Sequence, residues 1–452
     1  MLIRFVVENF LSFDKETEFN MLVGNFKTHK NHVYPGSVKT LRAAAIYGAN
    51  GAGKSNIVKA IEFFQDIIKD DGIFQPIHNF KFKLNSINKT KPITFELEFL
   101  LGRKIYRYGF TFDHNIILSE WLIESGIRRD DKIIFERTTS IKGKTKIRFH
   151  EEYIKNNKQK IIIEILEENL LKPNETLLSK EFELKIKLLS QIKYKITDKI
   201  IIIYPHSKVS NLIVFMAYSK VFYEFSNTLL KSFDTGIKEL KVETFDFNKF
   251  FGEDDEDLKE SIIRDLESGN SGGITMFHKN NEIFINKEDN KFTVKKLTSS
   301  HIDNNGNSIN FELDEESDGT QRLLDFIPAF NGVLTQDMTF IIDEIDQSLH
   351  PVLLKAVISK IMLEENTKGQ LIFTTHESNL LDLDIFRQDE IWFVEKNKLT
   401  GGSAIYSLSD YKPRYDLDIR KGYLKGRFGG IPFLANLDEL NWNNYDSEKE
   451  RV

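Results

Sequence analysis

Gly48, Gly53, Lys54 and Ser55 stand at the spacing G-x-x-x-x-G-K-S, with a third glycine at Gly51. Glycines at these places let successive backbone N–H groups turn inward as an anion nest. A lysine adds a mobile positive charge, and a serine hydroxyl can hold a divalent cation. Gly48, Asn50, Gly51, Ala52, Gly53, Lys54, Ser55 and Asn56 are therefore the candidate phosphate-binding residues. Lys54 would reach the β- and γ-phosphates of a nucleotide and Ser55 would hold Mg²⁺. Two further stretches offer the chemistry such a site needs. Met338-Thr-Phe-Ile-Ile-Asp-Glu344 is an apolar run ending in two carboxylates. Asp343 is the candidate for the Mg²⁺ shell, and Glu344 for orienting or deprotonating an attacking water. Leu371-Ile-Phe-Thr-Thr-His376 ends in an imidazole that could bridge the γ-phosphate and the catalytic carboxylate. Each has an ordinary structural use as well: Asp-Glu after a strand also makes turns and caps, and single histidines often serve packing.

The elements around these residues fit the chemistry. Ala43 to Tyr47 is a small apolar run that reads as a buried strand stopping at Gly48. Ile57, Ile61, Phe64 and Ile68 then recur every three to four residues, the spacing of a helix with one buried face. Strand, glycine loop and helix in that order place a helix N-terminus, with its partial positive charge, against the bound anion. Glu316-Ser-Asp-Gly-Thr-Gln321 precedes another apolar periodicity (Leu323, Leu324, Phe326, Ile327) and reads as a second helix start able to meet a phosphate. Ser-Asp-Gly is equally an everyday cap.

Length and composition set the frame. The 452 residues allow two to four domain-sized units or one large domain with insertions. Apolar residues at 40% support sizeable cores. The absence of cysteine removes disulfides and thiolate metal sites and fits a reducing, cytoplasmic setting. A formal charge of −6 does not advertise nucleic acid, so any such contact must come from a local patch such as Lys142-Gly-Lys-Thr-Lys-Ile-Arg148 or Lys421 to Arg427. The opening residues are too short and too charged for a signal peptide. No apolar stretch is long enough to span a bilayer, so no membrane partner is expected. Ile93 to Phe112 reads as a β-hairpin, with further strands near Ile116 to Ile123 and Lys132 to Glu136. From about 150 to 235 the texture is Lys, Glu, Ile and Leu at helical spacing, with helices expected over Tyr153 to Leu171 and Leu212 to Phe233. Glu253 to Asp257 reads as a solvated acidic run, and 272 to 312 as short strands and polar loops.

The ordered set Gly48 to Asn56, Ser317-Asp-Gly-Thr-Gln321, Ile341-Ile-Asp-Glu344 and Thr374-Thr-His376 resembles an ABC-type ATPase head of the RecF, SMC and OLD clade. Asn9-Phe-Leu-Ser-Phe13 and Asp346-Gln-Ser-Leu-His-Pro351 fit that clade too. Ile391-Trp-Phe-Val-Glu395 and Tyr423 to Pro432 are similar to the small AAA ATP-binding proteins of prokaryotic anti-phage defence loci, including the abortive-infection AbiLi type and the ATPase of the PARIS system. The resemblance covers both ends of the chain and little of the middle. It implies an α/β P-loop NTPase head: a mixed or parallel sheet with flanking helices, an antiparallel β subdomain and a helical insertion. Residues 1–150 would form the N-terminal half of the head, 151–235 the insertion, and 236–452 the C-terminal half. It implies ATP and Mg²⁺ as ligands. It also implies homodimers or larger assemblies in which Ser317, Asp318, Gly319, Thr320 and Gln321 of one copy cap the ATP of another, with Asp346 in the D-loop.

Glu316 and Asp318 stand where transporter signatures have Leu and Gly, a variant usual in the resembled group. Gln75 is a candidate Q-loop residue and, before Pro76, equally a plain turn residue. Only about 50 residues follow position 400, too few for an appended Toprim nuclease domain, so the chain is not expected to be a nuclease by itself. Asp382, Asp384, Asp416 and Asp418 read as caps and surface acids. The expected role is an ATPase that controls a separate effector, of nuclease or Toprim type, in anti-phage defence. Two alternatives stay open: a RecF-like ATPase that clamps DNA, and a scaffold that binds ATP with negligible turnover.

Overall fold

The computed structural model describes residues 1–69, 72, 77–126, 130–208, 210–233, 235–252, 255–268, 272–288, 291–414 and 417–431. Gln75, Glu253, Asp254, Asp416 and Pro432 lie outside the described residues. The chain divides into two compact units. One, the loop unit, comprises Ile3–Phe26, Ala44–Ser190 and Thr374–Val452; the other, the cap unit, comprises Met1–Leu2, Lys27–Ala43 and Gln191–Phe373. Both are α/β.

In the loop unit, a seven-stranded sheet runs in the order Thr145–Phe149, Lys132–Thr139, Ile116–Ser125, Lys104–Asp113, Ile93–Leu101, Leu2–Glu8, Thr17–Asn20. The first five strands form an antiparallel meander, as the alternation of Ile93 to Phe112 requires. One face of this sheet is packed with aromatic rings: Phe10 lies 5.1 Å from Phe95, and Phe64 stacks on Phe110 at 5.2 Å. Phe64 comes from the helix Lys54–Lys69, whose Ile57, Ile61, Phe64 and Ile68 are buried as their spacing demands. Each such side chain contributes roughly 1.5–3 kcal/mol of burial, so the sheet holds the helix at a fixed place. A fully buried pair, Arg137 and Glu120, pins the segment 172–178 to the same sheet. Glu120 accepts from Leu177 N, Leu178 N and the Tyr108 hydroxyl, and burial lowers the pKa of Arg137 from its ordinary value. The strand Ala43–Gly48 runs parallel to Ile391–Lys396, which forms a hairpin with Ser403–Ser407.

In the cap unit, Ile200–Ile203, Thr339–Ile342 and Gln370–Thr375 form parallel pairs in register. Ile200–Ile203 falls inside the stretch read from spacing as helical. Four consecutive isoleucines carry no period, and β-branched side chains favour a buried parallel strand once partners are present. The other helices of that stretch are shorter than expected. Asn156 caps Asn157–Ile165, which continues through a π turn at Leu166–Leu170. Leu212–Tyr218 and Lys220–Lys231 are separated at Ser219, whose hydroxyl caps the second helix by accepting from Phe222 N. A five-stranded antiparallel sheet follows: Glu239–Asp246, Lys291–Ile302, Asn281–Glu288 and Ile274–His278 in that order, with Ser308–Glu312 beside Lys291–Ile302. Phe247, Phe251 and Ile262 close its core against Ile283, Ile285 and Val294.

One buried amide organises the parallel strands. Gln370 Nε2 donates to Leu2 O and Leu41 O, both at 2.9 Å. Its Oε1 accepts from Leu2 N at 2.6 Å and from Thr339 Oγ1 at 2.9 Å. Gln370→Leu leaves four buried polar groups without this partner and should lower stability by about 3 kcal/mol. Urea unfolding followed by circular dichroism checks it; a loss below about 1 kcal/mol would show that the network repairs itself.

Candidate nucleotide-binding site

The loop between strand and helix is shaped by close backbone approaches. A Cβ at Gly48 would lie 2.5 Å from Val394 O of the neighbouring strand, so only glycine lets the strand end there. Gly51 and Gly53 hold left-handed φ values of 74° and 114°. A Cβ on Gly53 would sit 2.4 Å from Ser403 Oγ and 2.7 Å from Ser12 Oγ. These two serines form a floor beneath the loop. Ser403 Oγ donates to Ala52 O at 2.5 Å, Ser403 N donates to Ser12 O, and Asn56 Nδ2 donates to Ser12 Oγ at 2.8 Å. Ser12 is placed by the tight turn after Asn9. The buried Asn9 amide donates to Asn88 O and Lys91 O, and Leu11 has a φ of 49°. Behind the loop, a Cβ at Gly430 would be 3.7 Å from Gly48 Cα, and the Tyr423 hydroxyl donates to Gly430 O at 3.1 Å. The closing stretch singled out by resemblance therefore packs on the loop. Ser403 and Gly430 were not among the candidate site residues; Gly401-Gly402 before Ser403 was the available signal.

Lys54 opens the helix and is a buried residue, 5% exposed. Nζ donates to Gly48 O at 2.9 Å, to Ala49 O at 3.4 Å, and to His376 Nε2 at 2.8 Å. The ammonium has only donors, so the facing imidazole nitrogen accepts with its lone pair. Thr375 and Glu377 set the backbone on either side of His376: Glu377 N donates to Thr375 Oγ1, and the Glu377 side chain caps Ser378–Leu380. Sequence positions 54 and 376 are thus brought together. Asn50 and Gly51 are exposed at the loop tip, and Ser55 and Asn56 are half-buried.

The remaining candidates lie in the cap unit. Asp343 is 3% exposed, and its N–H donates to Ile203 O at 2.8 Å, so the extra isoleucine strand fixes its backbone. Glu344 has a φ of 51°, a conformation that costs a non-glycine residue on the order of 1 kcal/mol and persists where placement matters. Ser317 caps the helix Asp318–Thr335 by accepting from Thr320 N at 3.2 Å. A Cβ at Gly319 would meet Ser348 O at 2.8 Å, so the cap packs tightly on the turn that begins at Asp343 and includes Asp346. Asp318 is exposed, and Gln321 Nε2 donates to Glu316 O at 2.8 Å. Asp418 caps the helix Ile419–Leu424, and Asp382 accepts from Asp384 N, local roles both.

The residues present suit a nucleotide with Mg²⁺. The glycine cradle leaves no space that a Cβ could take at Gly53, and the Lys54 ammonium and the helix start supply positive charge. Among the described residues no three or more His, Asp or Glu side chains gather as a metal cage. The half-buried Ser55 beside the loop offers a hydroxyl oxygen, the kind of hard ligand Mg²⁺ takes together with phosphate oxygens and water.

Residues 43–382 match the family described as "AAA domain, putative AbiEii toxin, Type IV TA system". The chain belongs to this family. The AAA match takes in the glycine loop, the Ser317 cap, Asp343, Glu344 and His376, and the resemblance to Abi-type AAA proteins holds. Among solved structures the chain is similar to the SMC head domain from Thermotoga maritima, at 12% identity and a TM-score of 0.39 over 90% of this chain and 98% of that one. It is also similar to an SmcHead bound to the C-winged helix domain of ScpA (14%, 0.42, 91% and 99%). A third similar structure is the Smc head domain with an extended coiled coil bound to the C-terminal domain of ScpA from Pyrococcus furiosus (15%, 0.40, 94% and 99%). No curated protein matches the chain. No helix of the described residues is long and apolar enough to cross a membrane.

Gly53→Ala in this AAA protein should weaken ATP binding about tenfold or more, since the new methyl meets Ser403 and the backbone is strained. Gly51→Ala, left-handed but with open space, should carry only the backbone cost of about 1 kcal/mol. Titration with a fluorescent ATP analogue separates them; equal effects would count against the serine floor.

Proposed function

We propose that this chain binds and hydrolyses ATP with Mg²⁺, that two copies close around the nucleotide, and that the cycle controls a separate effector in anti-phage defence. The observation that carries the nucleotide reading is the buried Lys54 ammonium, held by loop carbonyls and by His376 above a glycine cradle. On ATP binding Lys54 would exchange those partners for β- and γ-phosphate oxygens, freeing His376 to donate to the γ-phosphate. Ser55 and Asp343 would hold Mg²⁺, which supplies charge neutralisation on the phosphates. Glu344 would accept the proton of the attacking water as its oxygen bonds to the γ-phosphorus and the bond to the β-bridging oxygen breaks.

The Ser317 cap supports the two-copy arrangement. It is an exposed helix start with polar groups suited to a phosphate. Asp346 would form the D-loop beside it. The family, with AbiEii in its description, supports a place in defence. Residues 1–150 and 236–452 would form the N-terminal and C-terminal halves of the head, with 151–235 as the inserted helical arm.

A second reading has its own observation. Lys142, Lys144, Lys146 and Arg148 are all exposed on one hairpin, and among the described residues none is in an ion pair. A run of such cations along one hairpin, from its turn into its second strand, suits a phosphate backbone and supports the DNA-clamping alternative. A duplex-DNA mobility shift that weakens with salt and with charge reversal at these positions would favour it.

Lys54→Ala should abolish ATP binding, read by the same titration; retained affinity would contradict the assigned pocket. Glu344→Gln should cut phosphate release by about 10²-fold or more while ATP still binds. The same variant should hold an ATP-dependent dimer in sedimentation velocity. Wild type and variant releasing phosphate at equal, near-zero rates would instead identify a scaffold.

A further inference from the structure

The residue before the Ser317 cap is tied to the five-stranded sheet of the same unit. Glu316 has a side chain 8% exposed, and its Oε1 accepts from His301 Nε2 at 2.7 Å and from Ser299 Oγ. Its carbonyl accepts from Gln321 Nε2, in the first turn of the helix that Ser317 caps. Ser299 and His301 share a face of the strand Lys291–Ile302, opposite Phe311 and Ile309 of Ser308–Glu312. The Phe311 ring meets the His301 ring edge-on at 4.9 Å. Ser299 is fully buried, so the receiving end of this contact has little freedom.

These contacts do more than bury a carboxylate. The strand Lys291–Ile302 is the spine of the sheet: it pairs with Glu239–Asp246, with Asn281–Glu288 and with Ser308–Glu312. A hydrogen-bonded strand moves as a body, so displacement of the sheet is delivered to Glu316 and through one peptide bond to Ser317. At Gly319 the cap runs so near the following turn that an added Cβ would lie 2.8 Å from Ser348 O. We propose that Glu316, gripped by His301 and Ser299, is a positioning residue that sets the Ser317 cap for its contact with the other copy's nucleotide and makes that contact responsive to the five-stranded sheet. The inference rests on the two-copy reading above.

The test uses the full chain as wild type, His301→Ala, Glu316→Ala, Glu316→Gln and the His301→Ala/Glu316→Ala pair. Two quantities are measured: affinity for a fluorescent ATP analogue, which reports each copy's own loop, and ATP-dependent dimerisation by sedimentation velocity. The expected result is ATP affinity within about twofold of wild type and dimerisation weakened at least about tenfold in both alanine variants. The pair should be no weaker than Glu316→Ala alone. Glu316→Gln should retain most dimerisation, because its amide oxygen accepts the same two donors. Unchanged dimerisation in Glu316→Ala overturns the proposal, and additive losses in the pair overturn the His301 link. A general folding defect would instead lower ATP affinity and dimerisation together, and that outcome also counts against a positioning role. A wild type that binds ATP but never dimerises overturns the two-copy reading. The link from sheet to cap is then judged by amide hydrogen exchange over residues 316–321: at least tenfold faster exchange in His301→Ala retains it, and an unchanged rate overturns it.

Discussion

The ammonium of a buried lysine must find acceptors for its donors, and the candidate site is arranged around that requirement at Lys54. Gly48 O and Ala49 O meet it only because the loop turns back on itself. That turn leaves no room for a side chain at Gly48 or Gly53 and is eased by the left-handed backbone of Gly51. The third acceptor, His376, arrives from far along the chain. All three contacts are of the kind that phosphate oxygens can replace with stronger, charge-assisted ones. The arrangement therefore satisfies a buried charge while keeping it exchangeable, which a salt bridge to a fixed carboxylate would not do.

The cap unit solves a different problem: holding carboxylates and a helix start at fixed places on thin strands. The Gln370 amide, with all its hydrogen-bonding capacity used, joins Leu2, Leu41 and Thr339 and so sets the register from which Asp343 follows. Ile200–Ile203 supplies the acceptor for the Asp343 amide. The strained backbone at Glu344 and the contact of Gly319 with Ser348 O are tolerated because the surrounding strands over-determine them. Glu316 extends the same logic outward, giving the cap a hydrogen-bonded path to a sheet that the phosphate chemistry itself does not require.

Much of this was legible in the residues. The glycine spacing, the apolar strand before it and the helical periodicity after it all hold in Ala43–Gly48 and Lys54–Lys69, because each depends on near neighbours. The alternation of Ile93 to Phe112 became a hairpin for the same reason. The misses were of another kind. Ile200–Ile203 has no period to read, and its strand state exists only beside Thr339–Ile342. The helix expected over Leu212 to Phe233 breaks at Ser219, where a side-chain cap outcompetes continuation. Ser403 escaped notice because its partner, Ala52, is 351 residues away.

By itself the sequence determined which residues could cradle phosphate, which face of the following helix is buried, and membership in the AAA family over residues 43–382. These are properties of local spacing and of side-chain chemistry, and they survive without any fold. Only the tertiary structure decided that His376 faces Lys54, that Ser12 and Ser403 floor the loop, and that His301 grips Glu316. Contacts between segments far apart in sequence are selected by packing density and by the need to satisfy every buried polar group, and neither constraint is written in the order of residues.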